Sequence, residues 1–196
     1  CSMDGTRYST DGTFVLISDR QWFQTAAAGK RSVFEPHMSR ATHQLQMLFA
    51  IPIYNKDRKI TGVLSALFTS TVLSEIIQDV VIGETGGCYI IRPNGTITAH
   101  RNTELVTQSY NFFEQVKQEP ALQSTVTFLR HALEAKFHDA GYYSYKNVDY
   151  IASYATIKTT GWTVIIEAPM EEFTGTLRSL RTRMLVIGFG ILLLVL

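Results

Sequence analysis

The sequence predicts an α+β fold in which antiparallel hairpins are flanked by helices, set out as two successive units and followed by the start of a membrane-spanning helix. Three observations predict it. A strand, a turn and a second strand occupy 45–68, and a segment with helical spacing of apolar residues comes next. The same order returns late in the chain, where Ala155-Thr156-Ile157, a turn and Gly161-Trp162-Thr163-Val164 faintly echo Ala50-Ile51-Pro52-Ile53, a turn and Gly62-Val63-Leu64. Residues 184–196 then carry no charged or strongly polar side chain.

The elements follow in order. Asp4-Gly5 and Asp11-Gly12 are turn dipeptides at the start of an extended region. Arg20-Gln21-Trp22-Phe23 leads into an Ala-rich stretch ended by Gly29, which predicts a short helix with a glycine cap. Residues 45–54 read as a mostly buried strand, with Pro52 expected near an edge or a bulge. Asn55-Lys56-Asp57 makes the turn into a second strand over 60–68. Thr69-Ser70 can cap a helix over 71–80, where Val72, Leu73, Ile76, Ile77 and Val80 repeat at helical spacing.

The second unit opens with Gly83-Glu84-Thr85-Gly86-Gly87 as a turn. Cys88–Arg92 and Thr96–His100 read as strands joined at Pro93-Asn94-Gly95. Residues 110–138 read as helix broken at Pro120, with a Phe112/Phe113/Val116 face and a Leu129/Leu133/Phe137 face. Strands are expected over 141–146, 149–157 and 162–168, with Asn147 and Gly161 in the turns. Pro169 is placed to open a last helix running into the apolar tail.

Composition excludes several function classes. Charged residues are 18% and hydrophobic residues 45% of the 196, so this is not a disordered polar chain. Eighteen Lys+Arg against seventeen Asp+Glu leave a net charge of +1, too little for a nucleic-acid footprint. Cys1 and Cys88 alone make neither a disulfide framework nor a CxxC metal site. Gly29-Lys30-Arg31-Ser32 fails as a phosphate loop: Gln24 stands where the first glycine belongs, and Arg31 splits the Lys–Ser pair. GxSxG, HExxH and GxGxxG do not occur, and His131 and His138 are two helical turns apart, too far to share a ligand. Neither an enzyme nor a cofactor site is expected.

The start at Cys1 and the end inside an apolar run predict a piece of a longer protein. The run 184–196 is read as the beginning of a transmembrane helix, since all its faces are apolar and Gly188 and Gly190 are better tolerated in a membrane helix. Arg178, Arg181 and Arg183 before it would, by the positive-inside rule alone, put the folded part in the cytoplasm. That rule is weak for large domains.

Ser18-Asp19-Arg20-Gln21-Trp22-Phe23, Phe34-Glu35-Pro36 and the Ala-Ile-Pro-Ile strand with Gly62-Val63-Leu64 together resemble the membrane-distal module of the double Cache family. Gly83-Glu84-Thr85-Gly86-Gly87-Cys88-Tyr89-Ile90-Ile91, then Pro-Asn-Gly-Thr and Ala99-His100, resemble its membrane-proximal module, as does Gly161-Trp162-Thr163-Val164 before the final helix. The resemblance implies two tandem PAS-like modules outside a bacterial membrane. It divides the chain into a distal module over 1–80, short of its N-terminal helix and first strands, a proximal module over 81–169, a juxtamembrane helix over 170–183 and the span from 184. It also places the three arginines on the outer side of the membrane.

Such modules front methyl-accepting chemotaxis proteins, sensor histidine kinases and diguanylate cyclases. Chemotaxis receptors bear them most often, so a chemotaxis receptor is the leading expectation. A membrane-tethered enzyme and an adhesion ectodomain are the alternatives from other classes. The implied partners are a small-molecule ligand, the membrane and a second copy in a homodimer.

In amino-acid-sensing members an Arg-x-Trp-Tyr motif grips the ligand carboxylate, and an acidic set holds its ammonium. Arg20, Trp22 and Phe23 match the first motif with Phe for Tyr, and Phe34, His37 and Ser39 fall in the adjoining strip. Leu67 stands where the family carries a late Asp. The resemblance therefore implies a ligand with a carboxylate, for which Arg20 offers a bidentate fork and Trp22 a ring wall, and without an α-ammonium. A buried ammonium opposite Leu67 would go uncompensated.

Overall fold

The computed structural model describes residues 1–10, 12, 14–38, 45–135 and 138–174. The chain falls into two compact units, Cys1–Val72 and Leu73–Leu196.

The first unit begins with a small antiparallel ribbon, β1 (Thr6–Tyr8) and β2 (Phe14–Leu16), with Tyr8 opposite Phe14. Helix α1 (Gln21–Ala27) follows, and its chain reverses at Gly29, whose φ of 88° suits a residue without a Cβ. Strands β3 (Ser32–Met38), β4 (Leu45–Tyr54) and β5 (Ile60–Thr69) form an antiparallel sheet in that order. The β4–β5 turn is closed by Asn55, whose side-chain oxygen accepts from the N–H groups of Asp57 (3.0 Å) and Lys59 (2.8 Å). Helix α1 buries Trp22, Phe23 and Ala26 against Leu48, Ala50 and Val63, with Ile17 in the same cluster and Phe34 packed on its side. The other face of β4 and β5 is more exposed and carries Ile51, Ile53, Leu64 and Phe68.

Pro52 lies in the middle strand of the sheet, yet no ladder bond is lost to it. Strand β3 pairs with β4 only as far as Ser32–Ala50, so Pro52 lies past its end. On the other side Pro52 faces Val63, whose N–H and C=O are both taken by Cys1 across the opposite edge of β5. The expected edge environment is thus met locally, inside a central strand.

In the second unit α2 (Val72–Ile77), which starts at the boundary, is followed by β6 (Gly87–Ile91), β7 (Ile97–His100), α3 (Thr103–Thr107) and α4 (Phe112–Gln115). A 3-10 turn, Pro120–Leu122, leads into α5 (Gln123–Glu134). Strands β8 (Asp139–Tyr145), β9 (Val148–Thr156) and β10 (Thr163–Pro169) complete a five-stranded antiparallel sheet ordered β7-β6-β10-β9-β8. Residues 170–174 are helical and are called α6. Helix α5 presents Phe128, Leu129 and Ala132 to Tyr89, Ile91, Tyr143, Ala152, Tyr154 and Ile165, and this is the unit's core.

Local signals explain several boundaries. The expected helix over 110–138 is two helices and a turn. Asn111 caps α4, accepting from Phe113 N–H (2.9 Å) and Glu114 N–H (3.2 Å), and Pro120 opens the 3-10 turn. Pro169 ends β10 rather than opening a helix, and the helix starts one residue later. Among the described residues no helix is long and apolar enough to cross a membrane. The span expected at 184–196, the juxtamembrane helix beyond Thr174 and the Phe137 position of the α5 face lie outside the described residues.

Candidate ligand site

Helix α1 and strand β3 enclose a cleft of about 450 Å³ in the first unit, lined by Gln21, Trp22, Thr25, Ser32, Val33, Phe34, Glu35 and Pro36. Gln21 and Thr25 are one turn apart on α1, and Thr25 Oγ1 donates to Gln21 O at 2.8 Å. Trp22 supplies an aromatic wall while remaining 5% exposed, its ring edge-to-face with Phe23 at 6.2 Å. Apolar walls with a few polar groups, in a volume of this order, suit a small molecule.

The expected site residues divide. Trp22 and Phe34 line the cleft together. Phe23 does not line it and packs into the core beneath. Arg20 is the N-cap residue of α1 and makes no side-chain cap bond. Its side chain is 47% exposed, and Nε stands 3.9 Å from an Asp19 carboxylate oxygen, a loose surface pair beside cleft-lining Gln21. Leu67 is opposite Leu48, and Leu48 is opposite Phe34, so the three form one row across the sheet, with Leu67 exposed. His37 is on β3 opposite Gln46, and Ser39 lies outside the described residues.

Sequence reading missed Gln21, Thr25, Ser32, Val33 and Glu35 as lining residues. Helical spacing from Trp22 could have flagged Gln21 and Thr25. Glu35 is the single charged residue of the lining, and it sits where β3 pairing shifts register between Phe34 and His37, an irregularity that re-aims side chains.

A second cleft, about 530 Å³, lies in the other unit between the start of α5 and the β8–β9 turn, lined by Gln123, Ser124, Thr127, Ser144, Lys146 and Asn147 among others. It is larger but has no aromatic wall, and its lining is mostly the polar side chains of a solvated surface. The first cleft has the better chemistry for a ligand.

The second unit also buries an acid. Glu167 on β10 accepts from the Tyr143 hydroxyl. Burial pushes its carboxyl above the usual range, while the hydrogen bond from Tyr143 pulls the other way. Burial likewise raises the Tyr143 phenol and, with the Glu167 charge, the Cys88 thiol. Among the described residues no group of His, Cys, Asp and Glu is placed to hold a metal ion.

The Cache domain profile dCache_1 matches residues 2–177. In solved structures, the ligand-binding domain of the Campylobacter jejuni chemoreceptor Tlp3 in complex with 4-methylisoleucine gives a TM-score of 0.58 at 17% identity, over 86% of this chain and 62% of that one. The ligand-binding domain of the Pseudomonas aeruginosa PAO1 amino acid chemoreceptor PctB in complex with L-Arg gives 0.54 at 19% identity, over 85% and 71%. The extracellular domain of the putative histidine kinase mmHK1S-Z2 gives 0.53 at 12% identity, over 83% and 61%. At these identities the likeness is one of fold, and the chain spans roughly three fifths to seven tenths of those domains. No curated protein matches it in sequence.

Proposed function

The chain belongs to the Cache domain family, and on that premise we propose that it is the small-molecule sensing part of a bacterial transmembrane receptor, a chemotaxis receptor first and a histidine kinase or diguanylate cyclase second. Domains of this family are extracellular ligand-binding modules of membrane receptors, not catalysts. In this reading residues 1–183 lie outside the membrane as two PAS-like modules, the chain pairs with a second copy, and the helix begun at 170 continues towards a span at 184–196.

The observation that carries the reading is the cleft between α1 and β3, in which Trp22 and Phe34 form the apolar walls and Glu35 the polar end. We place the ligand there. In this reading Arg20, one residue before cleft-lining Gln21, supplies the fork for its carboxylate, and Leu67 shares a sheet row with cleft-lining Phe34. Both the Tlp3 and PctB structures hold amino acids or their analogues. In this chain Leu67 removes one acid, so a carboxylate without an α-ammonium is the preferred class.

Calorimetry of the full-length chain with matched pairs of amino acids and their deaminated acids tests this. The deaminated acid is expected to bind more tightly, with binding lost in Arg20→Ala. Tighter binding of the amino acid overturns the ligand class, and binding unaffected by Arg20→Ala overturns the site.

A further inference from the structure

We propose that the Glu172 carboxylate is a latch that joins the loop after α2 to the helix that follows β10, so that the two move as one piece. Glu172 is in the first turn of α6. Its carboxylate accepts from Glu84 N–H at 2.6 Å, from Thr85 N–H at 3.0 Å and from the Thr85 hydroxyl. Three donors on one acid are a charge-assisted cradle. The Thr85 hydroxyl and the Glu84 N–H hold its carboxyl below the usual range, so the anion persists.

The loop is gripped from its carbonyl side as well. Arg101, just after β7, donates Nη2–H to Gly86 O at 3.1 Å and Nη1–H to Thr85 O at 3.4 Å. The loop peptides thus lie between an anion that takes their N–H groups and a cation that takes their carbonyls, which aligns their dipoles with both charges. Gly83 makes the approach possible: its φ is 67°, and a Cβ there would collide with the Glu172 carboxylate. Gly86 is closed in by backbone, with an added Cβ at 2.5 Å from Glu167 O and 2.6 Å from Ala168 Cβ. The loop is therefore pinned to the end of β10 and to α6 together.

The chain order gives this a direction. The loop follows α2, which begins at the boundary with the first unit, and α6 follows β10, the last strand of the second. A displacement of α2 reaches α6 through three hydrogen bonds on one side chain, without passing through the core around Leu129 and Ile165. Only the naming of α6 as an output rests on the sensory reading. The latch itself is independent of any ligand.

Amide hydrogen exchange on the full-length chain tests it, with Ile165 and Leu129 amides as the report of an intact fold. Glu172→Ala is expected to speed exchange at Glu84 and Thr85 at least about tenfold, an opening of roughly 1.4 kcal/mol. Gly83→Ala, whose added Cβ takes the place of the Glu172 carboxylate from the loop side, is expected to speed exchange at Thr174 in α6 by a similar factor, and the double variant to add little to either. Glu171→Ala, exposed one position earlier, is expected to change neither. A loop that opens in Gly83→Ala while α6 keeps its protection overturns the latch, as does unchanged exchange at Glu84 and Thr85 in Glu172→Ala. Ligand binding retained in variants with an open latch would leave the site assignment standing; loss of the latch and loss of binding are separate results.

Discussion

The Tyr143 hydroxyl donates to the Glu167 carboxylate across the width of β9, joining the edge strand of the second sheet to the strand that ends at α6. Ala152, directly opposite Glu167 on β9, leaves room for the acid to lie over the sheet. Phe128 of α5 stacks on Tyr143 at 5.3 Å and Tyr150 stacks on it at 5.1 Å, so the phenol that satisfies the acid is itself held by packing.

The first prediction concerns pH. The folded Glu167 carboxyl titrates above its ordinary value because burial disfavours the anion. Between the unfolded and folded values the native state holds the proton more firmly, so stability from this group is present at low pH and is lost as pH rises through the folded value. Thermal unfolding from about pH 4 to about pH 8 is therefore expected to fall less steeply with pH in Glu167→Gln than in the parent. Equal slopes would show that Glu167 is ionised without penalty.

A second prediction isolates the phenol. Tyr143→Phe keeps the stack on Phe128 and Tyr150 but leaves the buried acid short of a donor. A loss of about 1–3 kcal/mol is expected at neutral pH. In the Glu167→Gln background the loss should be smaller, because no buried charge is stranded. Chemical denaturation of the four proteins of this cycle measures the coupling directly.

Asn111 supports a third. Its side-chain oxygen caps α4, and its Nδ2 donates to Asn94 O and to Thr96 Oγ1, both at 2.9 Å. One residue thus fixes α4 against the β6–β7 turn. Asn111→Ala is expected to cost about 1–2 kcal/mol. Asn111→Asp, which keeps the cap acceptor and loses both donors, should fall between the two in a denaturation midpoint measurement.

These side chains differ in how far the sequence announced them. Strands β4 and β5 were legible because each is a near-continuous apolar run, with Asn55 marking the turn between them. Strand β3 was not, because Glu35-Pro36-His37 interrupts any alternation. Pro36 is tolerated there because β3 is an edge strand and its pairing shifts register between Phe34 and His37. That same shift puts Glu35 in the cleft lining. Helix α3 escaped notice because five residues are too short for a period. In the site, Trp22 and Phe34 could be named from a family motif, whereas the lining by Gln21 and Thr25 depends on how α1 is rotated against the sheet. Glu167 and Tyr143 are 24 residues apart and meet only through strand order, which no local pattern encodes.

The last prediction separates the cleft from the core that supports it. Trp22 belongs to both, being 5% exposed and packed with Phe23, Ala26 and Leu48, and Trp22→Ala is expected to cost about 3–5 kcal/mol. Arg20 is half exposed, and its pairing with Asp19 at 3.9 Å is a surface contact, so Arg20→Ala should change stability by no more than about 0.5 kcal/mol. Leu67, 42% exposed at the far end of the row from Phe34, also accepts change at small cost. If the cleft takes a ligand through its carboxylate, Arg20→Ala abolishes the ligand-induced rise in melting temperature while leaving the unliganded value in place. Leu67→Asp should then shift preference from the deaminated acid towards the amino acid, since a carboxylate on this face would meet an ammonium that Leu67 leaves uncompensated. Thermal shifts with both ligand sets on the three variants read this out. An Arg20→Ala protein that keeps its ligand shift, or a Leu67→Asp protein with unchanged preference, would move the binding site away from α1 and the β3–β4–β5 face.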